Sequence, residues 1–226
     1  MTTLIHDTVP WGRNLDEYIS MFGLGDYDLN GRILDCGGGP ASFNAEMTAR
    51  GGSVVSCDPI YQFTRAQIEA RIGEVYPVIL REMQLNHHTF VWDTLKSPEQ
   101  VGETRMDAMR VFLADFEKGK AEGRYLNESL PALPFPDGSF DLALSSHLLF
   151  LYSAALSLDF HLAAIREMLR VAKEARIYPL TQMGGGLSAH VEPVIAALTA
   201  ESYRVEKVPT AYEFQRGATD VLRVQR

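Results

Sequence analysis

One run constrains this chain more than any other: Ile33-Leu34-Asp35-Cys36-Gly37-Gly38-Gly39-Pro40-Ala41. An apolar strand ends in an acid, turns through three glycines and enters a helix. Glycine has no Cβ, so its backbone can approach a ligand closely, and the helix that follows opens with N–H groups lacking intrahelical partners. A second strand, Val54-Val55-Ser56-Cys57, ends in Asp58, at the spacing where an acid accepts hydrogen bonds from a ribose diol. Together the two segments predict a parallel α/β protein that holds a nucleoside-containing cofactor.

Composition narrows the class. The 226 residues, 46% hydrophobic and 22% charged, suit one large globular domain over 1–226. Acids outnumber bases 29 to 21, for a net charge of −8. That balance lowers the expectation of a nucleic-acid partner, because phosphate binding normally needs a basic face. No apolar stretch reaches the roughly 18 residues of a membrane span. Met1-Thr2-Thr3-Leu4-Ile5-His6-Asp7 lacks the basic and apolar regions of a secretory signal, so a cytoplasmic location is expected by default. The two cysteines, Cys36 and Cys57, each close a strand and read as buried reduced thiols. No CxxC or histidine-rich pattern predicts a metal site.

The chain order predicts a doubly wound, mostly parallel seven-stranded sheet. Residues 1–30 form an N-terminal helical cap, in which Asn14-Leu15-Asp16-Glu17 is a capping box opening a helix to about Phe22. Strand one covers Arg32–Cys36, and a helix from Ala41 to about Arg50 leads to strand two. Between 60 and 124 the alternation gives way to a helical insertion. There Thr64-Arg65-Ala66-Gln67 caps one helix, Tyr76–Leu85 predicts a second, and Ser97-Pro98-Glu99-Gln100 starts a third. That third helix carries an apolar stripe of Val101, Met109, Phe112, Leu113 and Phe116, which serves either the core or a homodimer contact. Thr89–Trp92 is strand-like and Tyr125–Leu130 predicts strand three. Alternation resumes with a strand over Phe140–Ser145, a helix over Leu156–Ala172, a strand over Ala175–Leu180 and a helix over Val191–Glu201. Strands near Arg204–Val208 and Thr219–Val224 close the chain as an antiparallel hairpin.

Three cofactors compete for the glycine turn. A P-loop needs a Gly-Lys-Ser/Thr element that is absent. A nicotinamide-binding G-x-G-x-x-G is matched only in part, since Ser42 stands third, and Asp35 would repel a pyrophosphate. S-adenosylmethionine carries an ammonium and a sulfonium and no phosphate, so a carboxylate beside the turn suits it. On Leu34–Ala41, on Val55-Ser56-Cys57-Asp58-Pro59, and on Leu133-Pro134-Phe135-Pro136-Asp137-Gly138-Ser139-Phe140-Asp141-Leu142, the chain resembles the class I S-adenosylmethionine-dependent methyltransferases. Its small-molecule branch, with some uncharacterised bacterial members, is the nearest likeness. Glu167-Met168-Leu169-Arg170-Val171 resembles the family's helix before strand five.

The resemblance implies a Rossmann-like methyltransferase fold and roles for individual residues. Asp35, Gly37, Gly38 and Gly39 would border the methionine and ribose of the donor, and Asp58, followed by Pro59, would hold the ribose hydroxyls. Ser129 and Leu130 fall where the family contacts adenine, with Ser129 in place of the usual acid and Glu128 as its substitute. Ser145 and Ser146 follow strand four at the methionine end. Arg13 and Tyr18 would close over the site, Arg13 either pairing the donor carboxylate or remaining solvated. His147 is the candidate general base, set against a purely structural histidine; Tyr152 lines the pocket or the core. His161 reads as structural, His87 and His88 as solvated, and His190 as a pocket candidate by position alone. Tyr212-Glu213-Phe214 either covers the acceptor pocket or simply links two strands. The function implied is methyl transfer to a small-molecule acceptor. Methylation of RNA or protein, and a non-catalytic S-adenosylmethionine-binding module, are the alternatives. The Asn/Asp-Pro-Pro-aromatic element of base amino-methylation does not follow strand four.

Overall fold

The computed structural model describes residues 9–226; the reading of Met1–Asp7, and with it the first part of the N-terminal cap, lies outside them. Strands β1 (Arg32–Cys36), β2 (Ser53–Cys57), β3 (Tyr125–Leu126), β4 (Phe140–Ser146), β5 (Ala172–Tyr178), β6 (Arg204–Pro209) and β7 (Asp220–Gln225) form one seven-stranded sheet in the order β3-β2-β1-β4-β5-β7-β6. All pairings among β1–β5 are parallel, and β7 runs antiparallel to both β5 and β6. This is the Rossmann-like α/β sheet with a closing hairpin that the pattern predicts. The strand order reverses between β1 and β4, and such a switch opens a crevice at the carboxyl ends of the strands. The glycine turn after β1, and Ser146 and His147 at the carboxyl end of β4, flank that crevice.

Side-chain alternation assigns the two faces. Ile33, Leu142 and Leu144 pack with Leu15, Tyr18, Met21, Phe22, Phe43 and Met47 from helices α1 (Leu15–Phe22) and α3 (Phe43–Ala49), while short α2 (Asp26–Leu29) precedes β1. Leu34, Ala143, Ala175 and Ile177 pack on the opposite face with α6 (Leu158–Val171) and α7 (Val191–Ala200). Asp35 shares the α1 face with Ile33, because strand neighbours alternate. Cys36 and Cys57 are register partners across β1 and β2, both buried as free thiols.

The insertion comprises α4 (Arg65–Leu85) and α5 (Pro98–Ala121). Thr64–Gln67 forms the predicted capping box, and Ser97 accepts from the Gln100 N–H. Four expectations are corrected. No break separates the Thr64 helix from Tyr76–Leu85: α4 is continuous with Pro77 inside it. Pro77 and Gly73, four residues before it, are both exposed, so the carbonyl that loses its partner can turn to water. Thr89–Trp92 adds no strand to the sheet. It makes a single bridge, Phe90 to Gln215, and crosses to the β6–β7 connection through Val91 N–H to the Phe214 carbonyl at 2.8 Å. β3 stops at Leu126, since the chain then turns through a Ser129–Ala132 bridge. β5 starts at Ala172 directly from α6, so α6 loses its expected last residue to the strand.

The apolar stripe of α5 is core. Met109, Phe112 and Phe116 are fully buried with Tyr61 and Tyr125, and Phe112 lies 6.0, 5.1 and 5.3 Å from the rings of Tyr61, Phe116 and Tyr125. The Leu133–Asp141 segment is clamped by the helix that follows it in sequence: Glu167 accepts from the Leu133 N–H at 2.7 Å, and Arg170 donates to the carbonyls of Leu133 and Phe135 at 3.1 and 2.8 Å. Among the described residues no helix is long and apolar enough to cross a membrane. Phe112→Ala should cost about 3–5 kcal/mol of stability, read as a lower urea midpoint with an unchanged slope. A loss under about 1 kcal/mol would show that the insertion is not packed into the core.

Candidate functional site

The glycine turn is pinned from three directions. Asp58 accepts from the Gly39 N–H at 2.9 Å through one oxygen and from the Ile60 N–H at 2.8 Å through the other. Tyr61, from the short turn Pro59–Gln62, donates to the Gly39 carbonyl at 2.8 Å. Gly37 and Gly39 have φ of +73° and +54°, which side chains rarely adopt. Gly38 is required for a different reason: a Cβ there would lie 2.2 Å from an Asp35 oxygen. Above the turn, Gly12 presses against Pro40 so closely that a Cβ would meet its carbonyl oxygen at 2.1 Å, and the Ser42 N–H bonds the Arg13 carbonyl at 3.0 Å. The N-terminal segment therefore lies directly on the turn. Leu148 packs against Gly37 from the β4 side.

Asp35 is 1% exposed and accepts from Tyr18 Oη at 3.2 Å and Ser56 Oγ at 3.1 Å. Burial raises its pKa to about 7, against the opposing effect of those two hydrogen bonds. Asp58 is raised as well by burial, and the Ile60 and Gly39 N–H groups work against the rise. Tyr18, stacked on Phe43 at 4.2 Å, is thus fixed between α1 and the turn.

A roof closes over the carboxyl edge from elements far apart in sequence. Arg105 of α5 is fully buried, pairs with Glu17 of α1, and donates to Tyr212 Oη at 3.2 Å. Tyr212, from the β6–β7 connection, donates in turn to Glu17 at 2.9 Å. Burial would raise Glu17, but the Arg105 charge and hydrogen bond outweigh it and hold the carboxylate below its ordinary value. Phe90 and Trp92 of the insertion pack on Phe214 at 4.9 and 5.8 Å. The Tyr212–Phe214 segment is therefore tied to α1, to α5 and to the Phe90–Trp92 stretch as well as linking two strands.

His147 lies beneath this roof with φ of +54°, a strained setting for a residue with a Cβ. Its N–H bonds the Tyr178 carbonyl at 2.7 Å, Nδ1 lies 2.9 Å from Ser146 Oγ, and the ring meets Tyr178 edge-on at 5.4 Å. Burial first, then the charges of Arg13 and Arg105, lower its pKa well below the usual value. The imidazole is neutral and resists protonation, which makes it a weak base.

The other sequence candidates divide. Tyr18, Asp35, Asp58, Arg13, Ser146 and His147 converge on the crevice. Ser145 does not join them. Alternation sends it with Ala143 to the α6 and α7 face, fully buried with its hydroxyl unpartnered among the described residues. Ser129 is exposed beside the end of β3, and Leu130 turns into the core. Pro59 opens the turn that carries Tyr61. His161 is buried and bonded through Nδ1 to the Ser157 carbonyl at 2.8 Å, the structural role expected. Its ring meets His190 at 4.8 Å; His87 and His88 are exposed. Arg105 and Glu17 were missed as site residues. Arg105 sits between Val101 and Met109 at four-residue spacing on the apolar stripe, and a cation in that position was the available signal. A cavity of about 240 Å³ opens at the opposite edge of the sheet, where its charged residues pair with one another, as Lys173 does with Asp141 and Arg223 with Glu174.

Residues 97–176 match the family described as a methyltransferase domain, a span that begins after the glycine turn. An uncharacterised protein of Methanocaldococcus jannaschii is 31% identical over 223 residues, covering 98% of each chain. Among solved structures, a SAM-dependent methyltransferase from Aquifex aeolicus aligns over 93% of both chains at 16% identity, with a TM-score of 0.43. Magnesium protoporphyrin IX methyltransferase from Synechocystis PCC 6803, solved with bound SAM, aligns over 93% of this chain and 90% of that one at 13% identity and a TM-score of 0.43.

The raised pKa of Asp35 has a definite sign for stability. The native state holds this proton up to about pH 7, whereas the unfolded chain releases it near 3.9. Asp35 therefore costs stability increasingly as pH rises from about 4 to about 7, and no further above that, by at most about 1.4 kcal/mol per pH unit. Asp35→Asn should be more stable than wild type by a margin that widens across this window in urea unfolding. A margin independent of pH would refute the raised pKa.

Proposed function

We propose that this chain, which belongs to the class I S-adenosylmethionine-dependent methyltransferases, carries the methyl group to a small-molecule acceptor. S-adenosylmethionine is its methyl donor. The observation that supports a small acceptor is the roof: Arg105, Glu17 and Tyr212 join three remote segments above the crevice and are themselves buried or nearly so. A polymer substrate needs an open groove, and an RNA needs a basic one; this chain carries a net charge of −8.

The residues present suit the donor. Bare backbone at Gly37, Gly38 and Gly39 accepts a close neighbour, and Asp35 behind it offers a carboxylate for an ammonium. Each Asp58 oxygen already accepts one N–H and has capacity for a ribose hydroxyl. Pro59 and the exposed Ser129 border the nucleoside end, with Leu130 packing behind it. Tyr18 and Ser146 lie toward the methionine end, and Ser145 supports β4 from the far face. The donor supplies an electrophilic methyl on a sulfonium. What remains for the protein is alignment and exclusion of water, which the Gly12–Arg13 segment and the roof provide. His147, neutral and held by Ser146, accepts a hydrogen bond from the acceptor and orients it; strong proton abstraction is not needed for such a displacement.

S-adenosylmethionine and S-adenosylhomocysteine should raise the thermal midpoint and NAD should not; stabilisation by NAD alone overturns the assignment. Asp58→Asn should weaken S-adenosylhomocysteine binding by about 1.5–3 kcal/mol, and unchanged affinity removes Asp58 from the ribose site. With isotopically labelled donor and cell extract, label should enter the dialysable fraction. Label confined to RNA or protein would replace the small-molecule reading with a macromolecular one.

A further inference from the structure

Two arginines stand near one carboxylate under the roof: Arg105, fully buried against Glu17, and Arg13, half-buried four residues before Glu17 on the chain. Arg105 is fully buried and spends one terminal nitrogen on Glu17 and the other on Tyr212. Arg13 donates one terminal nitrogen to the Trp11 carbonyl at 3.3 Å. The Nε of each is shielded from solvent and has no hydrogen-bond partner among the described residues. Around Arg13 the groups of opposite tendency are Glu17 and the phenols of Tyr212 and Tyr18. Burial raises both phenols above their ordinary range, so they are uncharged at neutral pH. Glu17 therefore balances one guanidinium, and among the described residues no second carboxylate pairs with the other. Arginine does not shed its proton in proteins, and a donor shielded from water with no acceptor, as each Nε is, is costly to leave unpaired.

We propose that Arg13 and Arg105 form an anion subsite, and that the acceptor it takes is a small carboxylate. The proposal rests on the methyltransferase reading above. A guanidinium fork matches a carboxylate in plane and spacing, and two free Nε–H groups add donors that a neutral ligand would leave unpaired. The subsite belongs to the acceptor rather than the donor because of where its parts originate. Asp35, Asp58 and the glycine turn that suit the donor sit on β1 and β2, whereas Arg105 arrives from α5 and Tyr212 from the β6–β7 connection. The His147 ring meets Tyr178 at 5.4 Å, Tyr178 meets Tyr212 at 5.9 Å, and Tyr212 accepts from Arg105, so two aromatic rings join the imidazole to the subsite. A bound carboxylate would offset the positive field on His147 and strengthen it as a hydrogen-bond acceptor for the same molecule.

The test uses protein saturated with S-adenosylhomocysteine, so that the donor's own carboxylate is already seated, and compares benzoate with benzamide by titration calorimetry. Benzoate should bind at least about tenfold more tightly. Arg13→Gln should abolish that preference while S-adenosylhomocysteine affinity stays within about threefold, and Arg13→Lys should retain part of it. Among the described residues Arg13 makes no ion pair whose carboxylate the substitution would orphan, and an unliganded thermal midpoint near wild type shows that each variant folds. Equal binding of benzoate and benzamide, or no binding of either, overturns the proposal. So does a loss of about tenfold or more in S-adenosylhomocysteine affinity in Arg13→Gln, which would hand the guanidinium to the donor. Failure of the underlying reading looks different: S-adenosylhomocysteine itself would not bind, and the benzoate comparison on ligand-free protein would still decide the subsite.

Discussion

The buried pair of Arg105 and Glu17 is the interaction on which the shape of the site depends. Burying two charges is expensive, and removing either partner strands the other at a cost of about 3–5 kcal/mol. Such a pair persists only when the surroundings complete it. Here Tyr212 bonds both members, and the capping box holds Glu17 to Asn14. One carboxylate thereby does two tasks, starting α1 and fastening the insertion and the closing hairpin above the crevice. The aromatic contacts of Phe90 and Trp92 with Phe214 make a second fastening a short way off. A roof fixed at two points lies over the crevice, and it is this packing, not the glycine turn, on which the proposal of a small acceptor rests.

Beneath the roof, two acids at the ends of neighbouring strands are set apart by their partners. Asp58 receives two backbone N–H groups, which stabilise the ionised form and shape the turn. Asp35 receives only hydroxyls from Tyr18 and Ser56, in a fully buried position. Its carboxylate titrates near neutrality as a result. An arriving ammonium would restore the charge, so donor binding and ionisation of Asp35 favour each other. Different surroundings for one residue type is a general way to obtain two functions from it.

Much of this was legible in the chain because local rules governed it. Asn14–Glu17, Thr64–Gln67 and Ser97-Pro98 mark helix starts through side-chain to N–H bonds made within four residues. The glycine turn and the Leu133–Asp141 segment were also readable, and the latter proved to be held by Glu167 and Arg170, both in a segment already singled out. The illegible parts depend on tertiary contact. Pro77 should have ended a helix, but solvent exposure and packing on α5 carried α4 through it. Thr89–Trp92 has strand composition, yet its partner is a loop more than a hundred residues away. Ser145 fell on the wrong face because strand alternation reverses with a single step. Arg105 was visible only as a cation on an apolar stripe; its partner, Glu17, already had a sufficient explanation as a cap.

The electrostatics of the crevice argue for how its chemistry is divided. His147 is enclosed by the protein and lies in the field of two guanidinium groups, and burial first, then those charges, lower its capacity to hold a proton. A histidine meant to work alone as a strong base would instead have a carboxylate partner raising that capacity. None of the groups acting on it does so. The protein therefore assigns reactivity to the donor's sulfonium and keeps alignment for itself. Among the described residues such a site lacks a second negative charge beside the arginines. A neutral acceptor would leave that deficit in place through the reaction, whereas a carboxylate fills it on binding and relieves His147 in the same step. Charge balance, more than any single catalytic group, then determines which acceptors this crevice can accommodate.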